Sequence, residues 1–264
     1  MKRAMRVAAV ALLVVIGTLI LVSAREAGAQ SGKGEVALIA PGSIRSAFVE
    51  QLIPAFERKM GYKVKVSWGS GGFTHQEVAR GEPCDVTVVH PPYQDLISSG
   101  VVVASSRREL ASVALGVAVR QGAPKPDIST PEAAKKMFLS VHSIASASAA
   151  NGSNAGVSSD EALKKLGIAD EVQSKIKLAQ GGSGALHMVA TGQAEVGMTY
   201  LSEMQEPGID VVGPLPREIS KPVRLVGFIS THAKDPVAAK ALLDYMASPE
   251  AAAAYKAQHM IPAK

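Results

Sequence analysis

The chain has 264 residues, of which 47% are hydrophobic and 19% are charged, and its formal net charge at pH 7 is +5. Residues 1–29 hold Lys2, Arg3, Arg6 and Arg25 against Glu26, so +3 of that charge lies there and only +2 remains for the rest of the chain. Because a nucleic-acid-binding surface needs concentrated basic charge, the composition argues against a nucleic-acid partner.

The chain begins with a segment typical of a secretory signal. Basic residues precede an apolar run over residues 7–22, and a small-x-small motif follows at residues 27–29. These are the three parts of a signal peptide. The apolar run is shorter than the roughly 20 residues of a membrane-spanning helix, although an uncleaved anchor is the alternative. We therefore predict a signal peptide over residues 1–29 and a mature protein located in the periplasm.

Short apolar runs alternate with helical patterns through the rest of the chain. Strands are predicted over residues 35–40, 63–67, 85–89, 113–119, 141–145, 195–199 and 223–230. Helices are predicted over residues 44–60, 74–80, 91–99, 131–139, 158–166, 184–191, 236–246 and 249–258, with Pro54 expected to kink or split the first. This alternation predicts an α/β fold with mainly parallel sheets.

Two of the predicted strands are candidates for crossing between lobes. They cover residues 113–119 and 223–230, and about a hundred residues of further α/β pattern separate them. We predict that residues 30–112 and 228–264 form lobe 1, that residues 113–227 form lobe 2, and that a hinge joins them. A single doubly wound domain is the alternative.

Four predicted strand-to-helix turns are rich in glycine and serine. They occupy residues 40–43, 69–72, 151–156 and 181–184. A helix N-terminus offers unpaired N–H groups and a partial positive charge, and glycine allows a ligand to approach the backbone. In parallel α/β sheets such turns gather at the carboxyl ends of the strands, so together they predict a pocket for an anion.

Few other residues suggest a site. Arg45 lies in the first turn of the first predicted helix, where it is either solvated or turned inward to clamp a carboxylate. His75 follows the second glycine turn and His90 follows a strand, so both are candidates to face the cleft. The six histidines lack metal-binding spacing, Cys84 is alone, and P-loop, dinucleotide and nucleophile-elbow motifs are absent. No metal or cofactor is expected.

Several segments of the chain match a known pattern. They include an alanine-containing turn that ends in Ser43 and a G-x-P-x-D turn that ends in Asp85. On these motifs the chain resembles the periplasmic molybdate-binding proteins of ABC importers, and their wider group of solute-binding relatives, over nearly all the mature chain. The matching segments are residues 39–43, 67–72, 81–85, 154–156, 161–167, 182–186 and 197–200.

The resemblance implies a type II-like two-lobed fold, a small anionic ligand between the lobes, and a membrane permease as the partner of a monomer. It also implies hydroxyl donors, backbone contacts and a closing phenol. With the glycine turns and Arg45 included, the predicted ligand-binding residues are Ser43, Arg45, Ser70, Gly71, Gly72, Ala155, Gly182, Ser183 and Tyr200.

The chain also departs from that pattern, which keeps a second function open. Pro41-Gly42 and Gly71-Gly72 stand where the family's turns are richer in alanine and serine. A small organic carboxylate is therefore as good a ligand as a tetrahedral oxyanion. Aconitate isomerase, a periplasmic enzyme, is related to these binding proteins, and a shift of an allylic double bond needs a base. The candidate catalytic residues are His75, His90, Glu77 and Tyr200.

Overall fold

Two mixed β-sheets with flanking helices make up the fold of residues 33–264, the part of the chain that the computed structural model describes. The predicted signal peptide lies outside the described residues. Within them, no helix combines the length and the apolar character that crossing a bilayer requires.

The strands and helices follow the predicted alternation. The strands are β1 (Glu35–Pro41), β2 (Lys63–Gly69), β3 (Val86–Val89), β4 (Arg108–Val113), β5 (Leu115–Arg120), β6 (Ile144–Ala147), β7 (Ile176–Ala179), β8 (Val196–Tyr200), β9 (Ile209–Pro214), β10 (Val223–Ile229) and β11 (Ile261–Pro262). The helices are α1 (Ile53–Met60), α2 (Gly71–Ala79), α3 (Gln94–Ser98), α4 (Pro131–Ser140), α5 (Asn154–Lys165), α6 (Ala169–Val172), α7 (Gly181–Ala190), α8 (Pro236–Met246) and α9 (Pro249–Ala257).

The first predicted helix is divided, as expected from its proline. A 3₁₀ turn (Gly42–Ile44), a short α-helical turn (Arg45–Ala47) and a π-helical turn (Phe48–Leu52) precede α1. Pro54 occupies the first turn of α1. Proline has no N–H for an i→i−4 bond, which explains why the regular helix starts anew at this point.

The strand order separates the two sheets clearly. The first sheet has the order β11-β4-β10-β3-β1-β2, and the second has the order β7-β6-β8-β5-β9. The chain leaves the first sheet after β4 and returns to it with β10, which lies wholly in the first sheet and begins before the predicted return at residue 228. The lobe boundaries themselves remain a prediction.

The expected α/β architecture with two lobes is confirmed, but its sheets are mixed rather than mainly parallel. Strand β1 runs parallel to β2 and β3, and β6 runs parallel to β7 and β8. By contrast, β10 is antiparallel to β3 and β4, and β5 is antiparallel to β8 and β9. The pairings of β5 and β10 are antiparallel because these strands do not belong to βαβ crossover units.

The parallel strands position the site. Those of the first sheet are β1, β2 and β3, and those of the second are β6, β7 and β8. Strands β1, β3, β6 and β8 are largely buried, with Val36, Val86 and Ile144 fully enclosed, whereas the edge strands β2 and β7 are more exposed. Each strand ends in a turn or a helix N-terminus, so six such ends are available to line a common cleft.

Candidate functional site

A cleft of about 480 Å³ lies where the six parallel strands end. Residues that follow β1, β2 and β3 form one wall, and residues that follow β6, β7 and β8 form the other. The cleft is lined by Pro41, Gly42, Ser43, Trp68, Gly69, Ser70, Gly71, Phe73, His90, Ser148, Asn151, Ser153, Asn154, Ala155, Gln180, Gly181, Gly182, Ser183, Tyr200 and Glu203.

Ser43 and His90 form the buried floor of the first wall. The Ser43 Oγ and the His90 Nε2 are 3.0 Å apart, and both residues are only 4% exposed. Burial lowers the pKa of His90 to about 4, with a smaller opposing contribution from the backbone of Arg224. The imidazole is therefore neutral at pH 7, and it serves as a hydrogen-bonding group rather than as a cation.

Ser70 caps helix α2 and faces the cleft. Its Oγ accepts a hydrogen bond from the Phe73 amide at 3.2 Å, which fixes the hydroxyl at the helix N-terminus. This leaves the hydroxyl proton available to a ligand. The neighbouring Gly71 is required by space, because a Cβ there would collide with Oδ1 of Asn154 and lie 3.0 Å from Cδ2 of His90.

Helices α5 and α7 present their N-termini from the second wall. Ser153 caps α5 by accepting a hydrogen bond from the Gly156 amide at 3.2 Å. Helix α7 begins at Gly181 and has no side-chain cap. Gly181, Gly182 and Ser183 in its first turn line the cleft, and the preceding residue, Gln180, does not cap them with its side chain.

Tyr200 ends β8 and packs across the cleft floor. Its ring lies 5.8 Å from the His90 ring at an interplanar angle of 30°. Its hydroxyl is 3.0 Å from the Ser158 Oγ, and the residue is 1% exposed. Burial raises the pKa of the Tyr200 phenol above its usual range, so the group stays protonated. Tyr200 thus offers a neutral hydroxyl.

Glu203 contributes the sole carboxyl group among the residues that line the cleft. The Thr199 hydroxyl donates to its Oε2, and burial raises the pKa of the Glu203 carboxyl despite that bond. Gly182 must be glycine here, since a Cβ would collide with Oε2 of Glu203 and Oγ1 of Thr199. The carboxyl therefore lies against the N-terminus of α7.

The cleft offers many neutral donors and little charge. Lysine and arginine are absent from its lining, whereas serine hydroxyls, amide side chains and helix N-termini are frequent. Nor do residues 33–264 contain a group of three or more His, Cys, Asp or Glu side chains that could hold a metal ion. Such a lining suits an anion that is held by hydrogen bonds and helix dipoles.

Most of the residues predicted from the sequence come together in this cleft. Seven of the predicted ligand-binding residues and one further catalytic candidate line it. They are Ser43, Ser70, Gly71, Ala155, Gly182, Ser183, Tyr200 and His90.

The other four candidates lie outside the lining. The Arg45 side chain is exposed, and its guanidinium lies over the Trp68 ring at 5.7 Å from the centroid. His75 pairs with Asp95 at 2.7 Å, and Glu77 pairs with Arg80. Gly72 is not among the lining residues, but it donates its amide to the carbonyl oxygen of Gly152 at 2.9 Å. Their proposed roles in ligand binding or catalysis remain predictions.

The sequence reasoning missed several lining residues, of which Glu203 is the most consequential. Trp68 and Gln180 each directly precede a glycine turn, and Asn154 lies within the turn at residues 151–156. Glu203 lies three residues beyond the end of β8, in a 3₁₀ turn that begins at Leu201. The sequence feature that points to Glu203 is its position just after a predicted strand whose end faces the cleft.

Comparison with known proteins gives a consistent result. The sequence profile of the family described as "Bacterial extracellular solute-binding protein" matches residues 36–261. The chain is 34% identical over 222 residues to an aconitate isomerase from Pseudomonas sp, which covers 81% of this chain and 83% of the relative. It is 30% identical over 236 residues to the molybdate-binding protein ModA of Azotobacter vinelandii, which covers 87% of this chain and 90% of the relative.

The fold agrees with these relationships. The solved structure of the periplasmic molybdate-binding protein of Azotobacter vinelandii superimposes with a TM-score of 0.73 and 21% sequence identity. The match covers 87% of this chain and 100% of that chain.

Proposed function

The chain belongs to the bacterial extracellular solute-binding proteins, and from that premise we propose that it captures a small anion in the cleft between its two sheets. The observation that carries the proposal is the composition of the cleft. Ser43, Ser70 and the first turn of α7 supply neutral donors, and basic side chains are absent from the lining. Donors of this kind stabilise an oxyanion without a fixed counter-charge.

The size of the cleft favours a small organic carboxylate over a tetrahedral oxyanion. Its volume of about 480 Å³ falls within the range of roughly 300–1,000 Å³ that is usual for organic ligands. Trp68 and Phe73 add apolar surface to the lining, against which a carbon skeleton can pack. A molybdate-like oxyanion is the alternative ligand, because a relative that is 30% identical to this chain is named a molybdate-binding protein.

The protein then acts in the periplasm and delivers its ligand to the membrane permease of an ABC importer, as a monomer. The family relationship and the N-terminal sequence support this role. Anion capture would close the two lobes about the ligand. The ligand favours the closed state because it binds that state more tightly than the open one.

A thermal-shift screen tests the proposed ligand class. The mature protein is heated with molybdate, tungstate, sulfate, phosphate, citrate, and cis- and trans-aconitate. A ligand at a hundred times its dissociation constant stabilises the fold by about 2.7 kcal/mol, which raises the melting temperature measurably. We expect stabilisation by carboxylates, with the Ser43→Ala/Ser70→Ala double variant as the matched control. A screen in which no anion raises the melting temperature would contradict the proposal.

A second candidate function is isomerisation of a small tricarboxylate. Two observations favour it: a relative 34% identical is named aconitate isomerase, and the cleft brings the titratable groups of His90, Glu203 and Tyr200 together. In such a reaction a base removes a proton from one end of an allylic system, and a proton returns at the other end as the double bond shifts. The substrate and product are isomers, so no further reactant is needed.

An activity assay separates the two candidates. The mature protein is incubated with cis-aconitate or trans-aconitate, and the two isomers are followed by chromatography. Interconversion that is lost in the His90→Gln variant supports the isomerase. Tight binding of either isomer without interconversion assigns the protein to ligand capture alone.

A further inference from the structure

Glu203 is placed where a bound anion would meet it. It lines the cleft together with Ser43 and Tyr200. Its Oε2 lies against Gly182 at the start of α7, and its Oε1 is 4.0 Å from the position that a Cβ on Gly42 would take. The carboxyl therefore extends from the second wall toward the first, across the space in which the ligand is expected.

The residues that line the cleft include no lysine or arginine to offset an ionised Glu203 carboxylate, and the N-terminus of α7 beside it carries a partial positive charge rather than a full one. Among the residues that line the cleft, the titratable groups facing it are His90 from the end of β3 and Tyr200 from the end of β8. Both are neutral near pH 7. Helices α5 and α7 contribute neutral residues to the lining, and Arg45 from the first helical segment lies over Trp68 instead. Glu161 adds a negative charge that acts on Tyr200.

Two adjacent negative charges in such a site would repel each other strongly. Two unit charges held close together in a partly buried site, where water screens them less than in bulk solution, repel each other enough to cause a large loss of affinity. A proton placed between the carboxyl and the anion removes this repulsion and replaces it with a charge-assisted hydrogen bond. Thr199 already donates to Oε2, so the shared proton belongs at Oε1.

We propose that Glu203 shares one proton with the bound anion, so that the cleft takes up an anion and one proton together. The inference rests on the proposed anion-binding function. This shared proton implies a class of preferred ligands. A hydroxy acid, or an acid that is still partly protonated, supplies its own hydrogen-bond donor to Glu203. A fully ionised anion binds only as Glu203 gains a proton from water.

Proton counting by calorimetry tests the inference. Molybdate and trans-aconitate, both fully ionised at pH 7.5, are titrated separately into the mature protein in PIPES, HEPES and Tris buffers. The buffers differ in ionisation enthalpy, so the dependence of the binding heat on the buffer gives the protons taken up. We expect about one proton per bound anion. We also expect the dissociation constant to rise up to tenfold per pH unit above the pKa of Glu203.

The Glu203→Gln variant isolates the residue. Glutamine keeps the shape of the side chain, its carbonyl oxygen can accept from Thr199, and its amide can donate to the anion. We expect the variant to bind without proton uptake and with an affinity that is constant between pH 6.5 and 8.5. Glu206→Gln is the matched control, since Glu206 lies outside the cleft lining and pairs with His187 at 3.0 Å.

The outcomes separate the inference from the proposed function. Binding to the wild type without proton uptake, or equal uptake by the wild type and Glu203→Gln, overturns the role of Glu203 and leaves anion binding intact. Failure of every anion to bind the wild type overturns both. Should Glu203→Gln fail to fold, as judged by circular dichroism, the proton count of the wild type alone decides.

Discussion

The backbone amide of Gly72 donates to the carbonyl oxygen of Gly152 at 2.9 Å, and this bond joins the two walls of the cleft. Gly72 lies in the first turn of α2, and Gly152 lies just before α5. A Cβ on Gly72 would come within 2.9 Å of both the Cα and the oxygen of Gly152, closer than such contacts allow. The two lobes can therefore approach this closely only if residue 72 has no side chain.

Substitution of this glycine should weaken ligand binding by hindering closure. Gly72→Ala is compatible with the helical backbone and gains helix propensity, so we expect the melting temperature of the free protein to stay the same or rise slightly. The affinity for the anion should fall by about tenfold or more, because the closed form becomes strained. Calorimetry measures the affinity, and Gly184→Ala is the control, since its Cβ would meet only that of Ala179 at 3.3 Å. Equal affinity losses in both variants would contradict this role of Gly72.

Removal of the Ser43 hydroxyl should reduce affinity more than removal of the Ser70 hydroxyl. Ser43→Ala deletes a proposed ligand donor and also leaves Nε2 of the buried His90 without its partner. An unsatisfied buried group costs about 1–3 kcal/mol, so the variant should also lose thermal stability. Ser70→Ala loses a helix cap of about 1 kcal/mol and one ligand donor. Unchanged affinity in both variants would remove these serines from the site.

Arg45 should have little influence on carboxylate affinity. The Arg45 side chain is exposed, its guanidinium lies 5.7 Å from the centroid of the Trp68 ring, and Arg45 is outside the cleft lining. Arg45→Ala should cost about 0.5–1 kcal/mol of stability, the usual value of an exposed cation–π contact. Its affinity for trans-aconitate should change less than threefold. A selective loss of carboxylate binding, with molybdate binding spared, would instead support the inward clamp considered from the sequence.

Several residues that the sequence singled out line the cleft, chiefly where glycine and serine mark the end of a strand. Ser43, Ser70 and Gly182 were identified because such residues favour helix N-termini, which gather at the carboxyl ends of parallel strands. The helices themselves begin earlier than predicted: α5 starts at Asn154 and α7 at Gly181, so the glycine turns form the first helical turns. Propensity alone placed those glycines outside the helices.

What the sequence did not predict depends on tertiary context. Strands β4, β7, β9 and β11 were missed, and the edge strands β7 and β11 are short. The mixed character of the sheets follows from pairings over long sequence distances, such as that of β10 with β3. Arg45 illustrates the same limit, since its first-turn position does not determine whether it faces the ligand or Trp68.

His90 should make the protein less stable in acid. Its pKa is lowered from 6.5 to about 4 by burial, so protonation favours the unfolded chain. The stability that depends on neutral His90 is fully present above pH 6.5 and is lost as the pH falls from 6.5 through about 4. The full loss approaches about 3 kcal/mol, because each pKa unit corresponds to about 1.36 kcal/mol.

The His90→Gln variant separates this effect from the acid sensitivity of other groups. Glutamine remains neutral and can keep a hydrogen bond to Ser43, so the variant should lose less stability than the wild type between pH 7 and pH 4.5. Urea unfolding at both pH values measures the difference. His142→Gln is the matched control, since the His142 side chain is 90% exposed and pairs with Glu195 at the surface. Wild type and His90→Gln should diverge on acidification, while His142→Gln follows the wild type. Parallel curves for wild type and His90→Gln would show that the imidazole is already charged, or accessible to water, in the folded protein.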